Sequence, residues 1–448
     1  LLDVGKVIEV SFVDLTHDAM GVAKVDGYPL FVEGALKGEK ALVKITKLNK
    51  KFGFAQIVEL KETSPFRKQP LCSHFDDCGG CNLMHMHYDI QLSFKRHRVK
   101  ETLRKIGGID IDVNETVGMD NPFYYRNKAM IPFGSKNGRI IAGMFKRGSH
   151  EISDLNRCHI YPRFYSEIIK TLKHFFFKER VSTYDPQTRI GFLRGVMIRH
   201  SEAYKQVSIV VVATSGKFPQ KDALIKTLTA KFPYITSIML NINAHDKNFR
   251  LGNKSKELYG EDAITEQILG VDYTVSHQSF FQINPIQTEN LYKKAIDFLE
   301  PHTDKTVVDA YCGTGTIALS LAKKIERVIG FDQSKQAIKN AHFNAKNNHI
   351  DNVDFLVSSA SKMTEILKNE SLDAMVVDPP RKGLEEEFLN EIITMRIPKI
   401  VYISCNPSTL ARDIKLLSKA GYQLKDITPF DMFPQTSHIE SVALITRQ

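Results

Sequence analysis

Two stretches near the carboxyl end of the chain set reactive side chains directly after apolar runs. In Ile400–Asp413 (IVYISCNPSTLARD), Cys405 follows an apolar strand and precedes a helix expected to begin near Pro407 or Ser408. A helix N-terminus lowers the pKa of a thiol, so this position suits a nucleophile. In Asp373–Gly383 (DAMVVDPPRKG), a second apolar strand carries Asp378 to its end, where Pro379-Pro380 stiffens the chain. In Pro434–Leu444 (PQTSHIESVAL), Glu440 falls between a polar turn and a terminal strand. A thiol and a carboxylate base in one domain suit addition–elimination chemistry.

A third strand end points to a ligand. Val307–Leu319 (VVDAYCGTGTIAL) reads as a buried strand ending at Asp309 and Ala310, then Gly313-Thr314-Gly315, then a helix. The glycines let backbone N–H groups approach a ligand, and the helix N-terminus favours its negative parts. The third glycine of G-x-G-x-x-G is missing, which argues against a nicotinamide dinucleotide. A further strand ends at Asp332, placed to accept ribose hydroxyls of a nucleotide or of S-adenosylmethionine (SAM).

The cysteines divide by spacing. Cys72-x5-Cys78-x2-Cys81 with Cys158 supplies four soft ligands, fit for structural zinc or an iron–sulfur cluster, and spacing alone leaves both open. His74, His85 and His87 lie in or beside this loop; they are candidate metal ligands, with a surface role the preferred expectation for each. Cys312, inside the glycine loop, reads as a small packed residue.

The elements that must position these groups follow from pattern. The chain has 448 residues, 61 Lys+Arg against 51 Asp+Glu (net +10), 42% hydrophobic and 25% charged residues. Those are globular values, and they exclude a disordered or collagen-like chain. No apolar run approaches a membrane span and no leader pattern opens the chain, so a cytoplasmic protein is expected. Residues 1–60 read as about five short strands, an OB-like barrel whose eight basic and eight acidic residues balance. Tyr88–Ile106 reads as a helix with one apolar side and a basic remainder of Lys95, Arg96, Arg98, Lys100, Arg104 and Lys105. Residues 121–150 hold Arg126, Lys128, Lys136, Arg139, Lys146 and Arg147 without an acid. Phe123, Tyr124, Tyr125, Phe133 and Phe145 are interleaved among them, a pattern suited to RNA. From about 270 onward, strands alternate with helices, as in a parallel sheet covered on both faces.

Taken together, DPPRKG, SCNPSTLARD, FFQINPIQTENLY (280–292) and the cysteine spacing resemble the RNA uracil-C5 methyltransferases, in particular the 23S rRNA branch with a TRAM barrel and an iron–sulfur cluster. The resemblance covers essentially the whole chain. It implies an α/β fold: a Rossmann-like class I SAM-dependent methyltransferase domain over 269–448, a TRAM barrel over 1–62, and a central α+β iron–sulfur domain over 63–268 whose helix 88–107 packs on the C-terminal domain. It implies Cys405 as nucleophile and Glu440 as general base. Gln282, Tyr311, Gly313, Gly315, Asp332 and Asp378 would line the SAM and uracil pocket, and Cys72, Cys78, Cys81 and Cys158 would hold a [4Fe–4S] cluster. The expected partner is 23S ribosomal RNA, met by a monomer without a membrane. The competing readings are a tRNA uracil-C5 methyltransferase, an NAD- or FAD-linked iron–sulfur oxidoreductase, and a non-catalytic RNA-binding factor.

Overall fold

The computed structural model describes residues 2–244, 249–300, 305–359, 362–368 and 370–448. The chain opens with β1 (Val7–Leu15), β2 (Gly21–Val25), β3 (Tyr28–Val32), β4 (Lys40–Leu48) and β5 (Gly53–Glu62), which close into a barrel in the order β1-β2-β3-β5-β4. Alternation along these strands turns Val10, Phe12, Leu30, Val32, Ala41 and Val43 inward, and their burial is what closes the sheet on itself. The cysteine loop follows, then α1 (Tyr88–Thr102), which continues through one π turn at Leu103–Gly107.

A central mixed sheet has the order β12-β11-β10-β9-β6-β7-β8. Its strands are β6 (Lys128–Lys136), β7 (Arg139–Phe145), β8 (Ile152–Asp154), β9 (Leu193–His200), β10 (Val207–Ala213), β11 (Ile235–Ile242) and β12 (Lys254–Tyr259). Helices α2 (Arg163–Lys178) and α3 (Lys221–Lys231) cover one face. β9 and β10 are buried along their whole length, so they read as continuous runs rather than alternating ones. The hairpin of β13 (Ile264–Ile268) and β14 (Val271–Val275) packs Ile264, Ile268 and Val271 into the C-terminal core, which therefore begins before residue 269.

The C-terminal part runs α4 (Pro285–Leu299), β15 (Thr306–Ala310), α5 (Thr316–Ala322), β16 (Arg327–Asp332), α6 (Lys335–Asn347), β17 (Val353–Val357) and α7 (Met363–Leu367). It continues with β18 (Ala374–Val377), α8 (Glu386–Met395), β19 (Lys399–Ser404), α9 (Pro407–Ser418), β20 (Tyr422–Phe430) and β21 (Glu440–Arg447). The sheet order is β17-β16-β15-β18-β19-β21-β20. The first five strands are parallel, as expected, but β21 and β20 pair antiparallel. That reversal matters, because it brings the start of β21 to the edge where the parallel strands end.

Helix α1 buries Gln91, Lys95 and Val99 toward the C-terminal sheet and sets Ile90 and Phe94 against a small cluster with Leu36, Leu83 and Met86. Being covered on two sides, it lacks the single apolar face that the sequence suggested. Its cations are not one solvated strip either: Arg104 and Lys105 are exposed, while Lys95, Arg96 and Arg98 turn to protein partners. Lys95 is fully buried and forms an ion pair with Asp431, itself fully buried. Arg96 donates to the Val113 carbonyl at 2.6 Å, and Arg98 to that of Ser437 at 2.6 Å. Arg104 and Lys105 both pair with Glu101, and Lys100 with Asp112.

The acid-free stretch is likewise drawn inward. Burial and the neighbouring Arg199 and Arg126 push Lys128 down to about 8. Tyr125 and Phe133 are core residues. Lys146 pairs with Glu151 at 2.7 Å, and Arg147 with Glu33 of the barrel at 2.8 Å. Lys136 and Arg139, at the tip of the β6–β7 hairpin, stay exposed.

Removing one partner of a buried pair strands the other charge away from water, at a cost of about 3–5 kcal/mol. Lys95→Met should therefore destabilise the chain by about that amount in urea unfolding, while Lys95→Met with Asp431→Leu should recover most of the loss. Equal losses in the single and double variants would show that the pair does not hold α1 in place.

Candidate active site

The site is built from strand ends that adjoin in the sheet. Cys405 follows β19, Asp378 follows β18, and Glu440 opens β21. Ser404 pairs with Ser441 and Val377 with Tyr402, so Asp378, Cys405 and Glu440 stand at neighbouring positions along one edge.

The Asp378 loop is clamped from α9. Asn406 Nδ2 donates to the Arg381 carbonyl at 3.1 Å while its Oδ1 caps the helix by accepting from the Ser408 N–H. Buried Asp413 accepts from the Leu384 N–H and from the Tyr402 hydroxyl, both at 2.8 Å. Arg412 donates to the carbonyls of Lys382 and Leu384. A Cβ on Gly383 would come 2.6 Å from Asp413 Oδ2, at a φ of +78° that disfavours other residues. The two sequence motifs are thus one interlocked unit. Reading them as separate strand ends left Asn406, Arg412 and Asp413 without a role.

Electrostatics at this edge differ from the expectation for Cys405. Its thiol is pushed up to about 11, by burial first and then by the Glu440 and Asp378 carboxylates, with Arg381 opposing. Any pull from the helix N-terminus is outweighed, and the resting side chain is a thiol. Burial raises Asp378 to about 7. Glu440 is held well above the usual carboxylate range by burial and Asp378, again against Arg381. Arg381, exposed beside all of them, was not singled out in the sequence.

Next to it lies the glycine loop, across the point where the sheet order reverses between β15 and β18, the usual ligand crevice of such sheets. Asp332 Oδ2 accepts from the Gly313 N–H at 3.1 Å and Oδ1 from the Ser334 N–H at 2.7 Å. Tyr311 holds a φ of +71°, a strained backbone worth about 1–3 kcal/mol, and its ring meets Phe388 edge-on at 5.7 Å. Gly315 has no room for a side chain, since a Cβ would lie 2.8 Å from Phe355, whereas the space beside Gly313 is open. Cys312 is buried.

Asp309 is wholly buried, and neither carboxyl oxygen has a hydrogen-bond partner; the Ala318 N–H lies nearby, outside hydrogen-bonding geometry. Burial, Asp378 and Asp332 hold it well above its ordinary value. An orphaned buried carboxyl, two more acids and an open glycine cradle suit a ligand that carries positive charge and ribose hydroxyls, and SAM has both. Gln282 stands half-buried at the entry to α4, where its carbonyl accepts from Asn127 at 3.0 Å. Tyr292 on that helix bonds to Thr316 at 3.1 Å.

The cysteine loop is a separate cluster. All six cysteines are free thiols. Burial raises Cys78, Cys81 and Cys158, the last to about 11, and each is raised further by others of the four, Cys72 included. Among the described residues no group of three His, Cys, Asp or Glu side chains stands ready to hold a metal ion. His85, expected at the surface, is buried against Phe75 with both ring nitrogens unpartnered.

Known proteins resemble this chain throughout. A sequence model described as tRNA (Uracil-5-)-methyltransferase matches residues 247–448, and a TRAM domain model matches residues 2–58. A Listeria innocua protein described as an uncharacterized RNA methyltransferase is 43% identical over 100% of this chain and 99% of its own length. One from Oceanobacillus iheyensis is 43% identical over 98% and 96%. Among solved structures, the Pyrococcus abyssi tRNA (uracil-54, C5)-methyltransferase in complex with S-adenosyl-L-homocysteine superposes with a TM-score of 0.80, at 29% identity over 98% of this chain and 99% of that one.

Because the neighbouring carboxylates oppose ionisation of Cys405, its alkylation by iodoacetamide, followed by peptide mass mapping, should rise with pH toward about 11. Glu440→Gln should move that midpoint down and Arg381→Ala up. Midpoints that stay fixed in both variants would contradict this account of the site's charge.

Proposed function

The chain belongs to the tRNA (uracil-5-)-methyltransferase family and carries a TRAM domain, and on that premise we propose that it methylates uridine C5 in 23S rRNA through a covalent adduct on Cys405. The observation that carries the reading is the meeting of Cys405, Glu440 and Asp378 at adjoining strand ends beside a glycine loop.

Uracil C5 is a weak nucleophile. The Cys405 thiol gives its proton to solvent, and addition of the resulting thiolate to C6 places electron density on C5, which then takes a methyl group. SAM, when bound, supplies that methyl as an electrophile and a positive charge beside the carboxyls. Asp332 and the backbone around Gly313 and Gly315 would hold its ribose and amino-acid ends, Tyr311 would wall the pocket, and Gln282 would orient the ligand or the base edge. Asp378, poised near neutrality, fixes the uracil imide. Glu440 takes the C5 proton, C5=C6 re-forms, and Cys405 leaves as thiolate. The target base must be out of its stack for sulfur to reach C6.

The barrel and the four-cysteine set support an rRNA substrate by the resemblance given above. A tRNA substrate is the second reading, favoured by the Pyrococcus abyssi neighbour, which is matched over 99% of its chain. The thiol chemistry of Cys72, Cys78, Cys81 and Cys158 fits a [4Fe–4S] cluster, whose binding would require the four to draw closer. None of the steps above runs through it.

Labelled methyl should pass from SAM into 23S rRNA rather than tRNA, and RNA containing 5-fluorouridine should form a covalent complex mapped to Cys405. Cys405→Ala should lower turnover by about four orders of magnitude and abolish the complex. A Cys405→Ala enzyme that still methylates would overturn the mechanism, and label in tRNA alone would select the second reading. Iron in the purified protein that is lost on Cys81→Ser would support the cluster, while zinc or no metal would reject it.

A further inference from the structure

Cys405 and Glu440 both belong to the C-terminal sheet, where Glu440 pairs with Phe430 and Ser441 with Ser404, but the segment that leads into Glu440 is held from elsewhere in the chain. Cys405 is set within the C-terminal sheet, between Ser404, whose hydroxyl accepts from the Asn406 N–H at 3.1 Å, and the capped start of α9. Glu440 is preceded by residues 431–439, and that segment is gripped by the N-terminal half. The backbone N–H groups of Asn82 and Leu83 donate to the Gln435 carbonyl at 3.1 and 3.0 Å. Asn82 Oδ1 accepts from the Ser437 N–H at 2.8 Å, and its Nδ2 donates to Ser437 Oγ at 3.0 Å and to the Asp18 carbonyl of the β1–β2 turn at 2.9 Å. Asn82 directly follows Cys81. Arg147 ties the same loop together by donating to the carbonyls of Phe75, Cys78 and Cys81 while pairing with Glu33. Gln435, fully buried at a φ of +70°, is a position that needs such support.

We propose that Asn82 is a positioning residue for Glu440: the cysteine loop clasps the segment leading into β21 and sets the carboxylate against the C5 proton. The inference rests on the reading of Glu440 as the base. It predicts a split between steps, because the clasp touches the segment before Glu440 and not the elements around Cys405. Addition to C6 and methyl transfer should proceed without it. The slowed step is the last, in which the C5–H pair becomes the C5=C6 bond, the proton passes to the Glu440 carboxylate, and the C6–S bond breaks to release the Cys405 thiolate. Misplacement on the ångström scale costs proton transfer up to about a hundredfold.

The test uses the full-length enzyme, RNA substrate and SAM labelled in the methyl group, resolved on a denaturing gel. Wild type should leave label in free RNA. Asn82→Ala should slow release about ten- to hundredfold and accumulate label in a covalent protein–RNA band. Asn82→Asp, which keeps the acceptor for the Ser437 N–H, should fall between the two, and Ser437→Ala should show a smaller accumulation. Should Asn82→Ala fail to fold, Asn82→Asp and Ser437→Ala decide. Loss of label from both pools in folded variants, or wild-type behaviour in all of them, overturns the clasp. Failure of Glu440→Gln to accumulate the same band would instead overturn the assignment of the base.

Discussion

Lys95 and Asp431 are both wholly withdrawn from water, and opposite charges so placed tolerate burial only while they stay in contact. Everything near the strand that begins at Glu440 inherits that demand. Asp431 also accepts from the Tyr88 hydroxyl at 2.8 Å, Lys95 reaches the Phe433 carbonyl, and Gln91 bonds to Gln435. Helix α1 therefore braces the segment that leads into Glu440. A segment of nine residues with no regular structure of its own can hold its course beside the site only if neighbours satisfy its backbone, and here those neighbours come from the cysteine loop, α1 and the cap of α4.

The same constraint redefines the chain's positive charge. Lys95, Arg98, Arg126 and Lys128 are buried or half-buried close to the junction between the sheets, and Arg147 bridges barrel and cysteine loop. Several of them converge on His438, which is pushed down to about 4 by burial and by Arg381, Lys95, Arg98 and Arg126. His438 is exposed, a neutral ring in a positive field two residues before Glu440. A positive field there suits the phosphates flanking an extruded base, and it arises from cations that also hold the protein together.

Local signals in the sequence resolved local structure. The barrel strands, the glycine loop and the strand ends at Asp378 and Cys405 are legible because apolar runs, prolines and glycines act on their immediate neighbours. The central sheet was largely missed, since strands covered on both faces carry no alternation. Lys95–Asp431 and Asn82–Ser437 lie 336 and 355 residues apart, and nothing in a periodicity reports such a pair. A basic run in one dimension cannot say which cations are solvated. The pKa of Cys405 was misjudged for a related reason: the helix after it is a sequence feature, but the carboxyls around it are a property of the folded sheet.

Those carboxyls explain why the resting site is quiet. Asp378 lies close enough to disfavour the charge of both Asp309 and Glu440, and Asp378 and Glu440 together with burial keep Cys405 protonated. Any cation lodged at this edge reverses the balance, because it stabilises every ionised carboxyl at once. Arg381 opposes the carboxyls from an exposed position, and a ligand seated by the glycine loop would add charge from within. A thiol held protonated at rest is less open to adventitious alkylation and oxidation. The high thiol pKa is compatible with the mechanism proposed above, because a cationic ligand at the carboxyl edge favours the ionised form of every group it faces, the thiolate included.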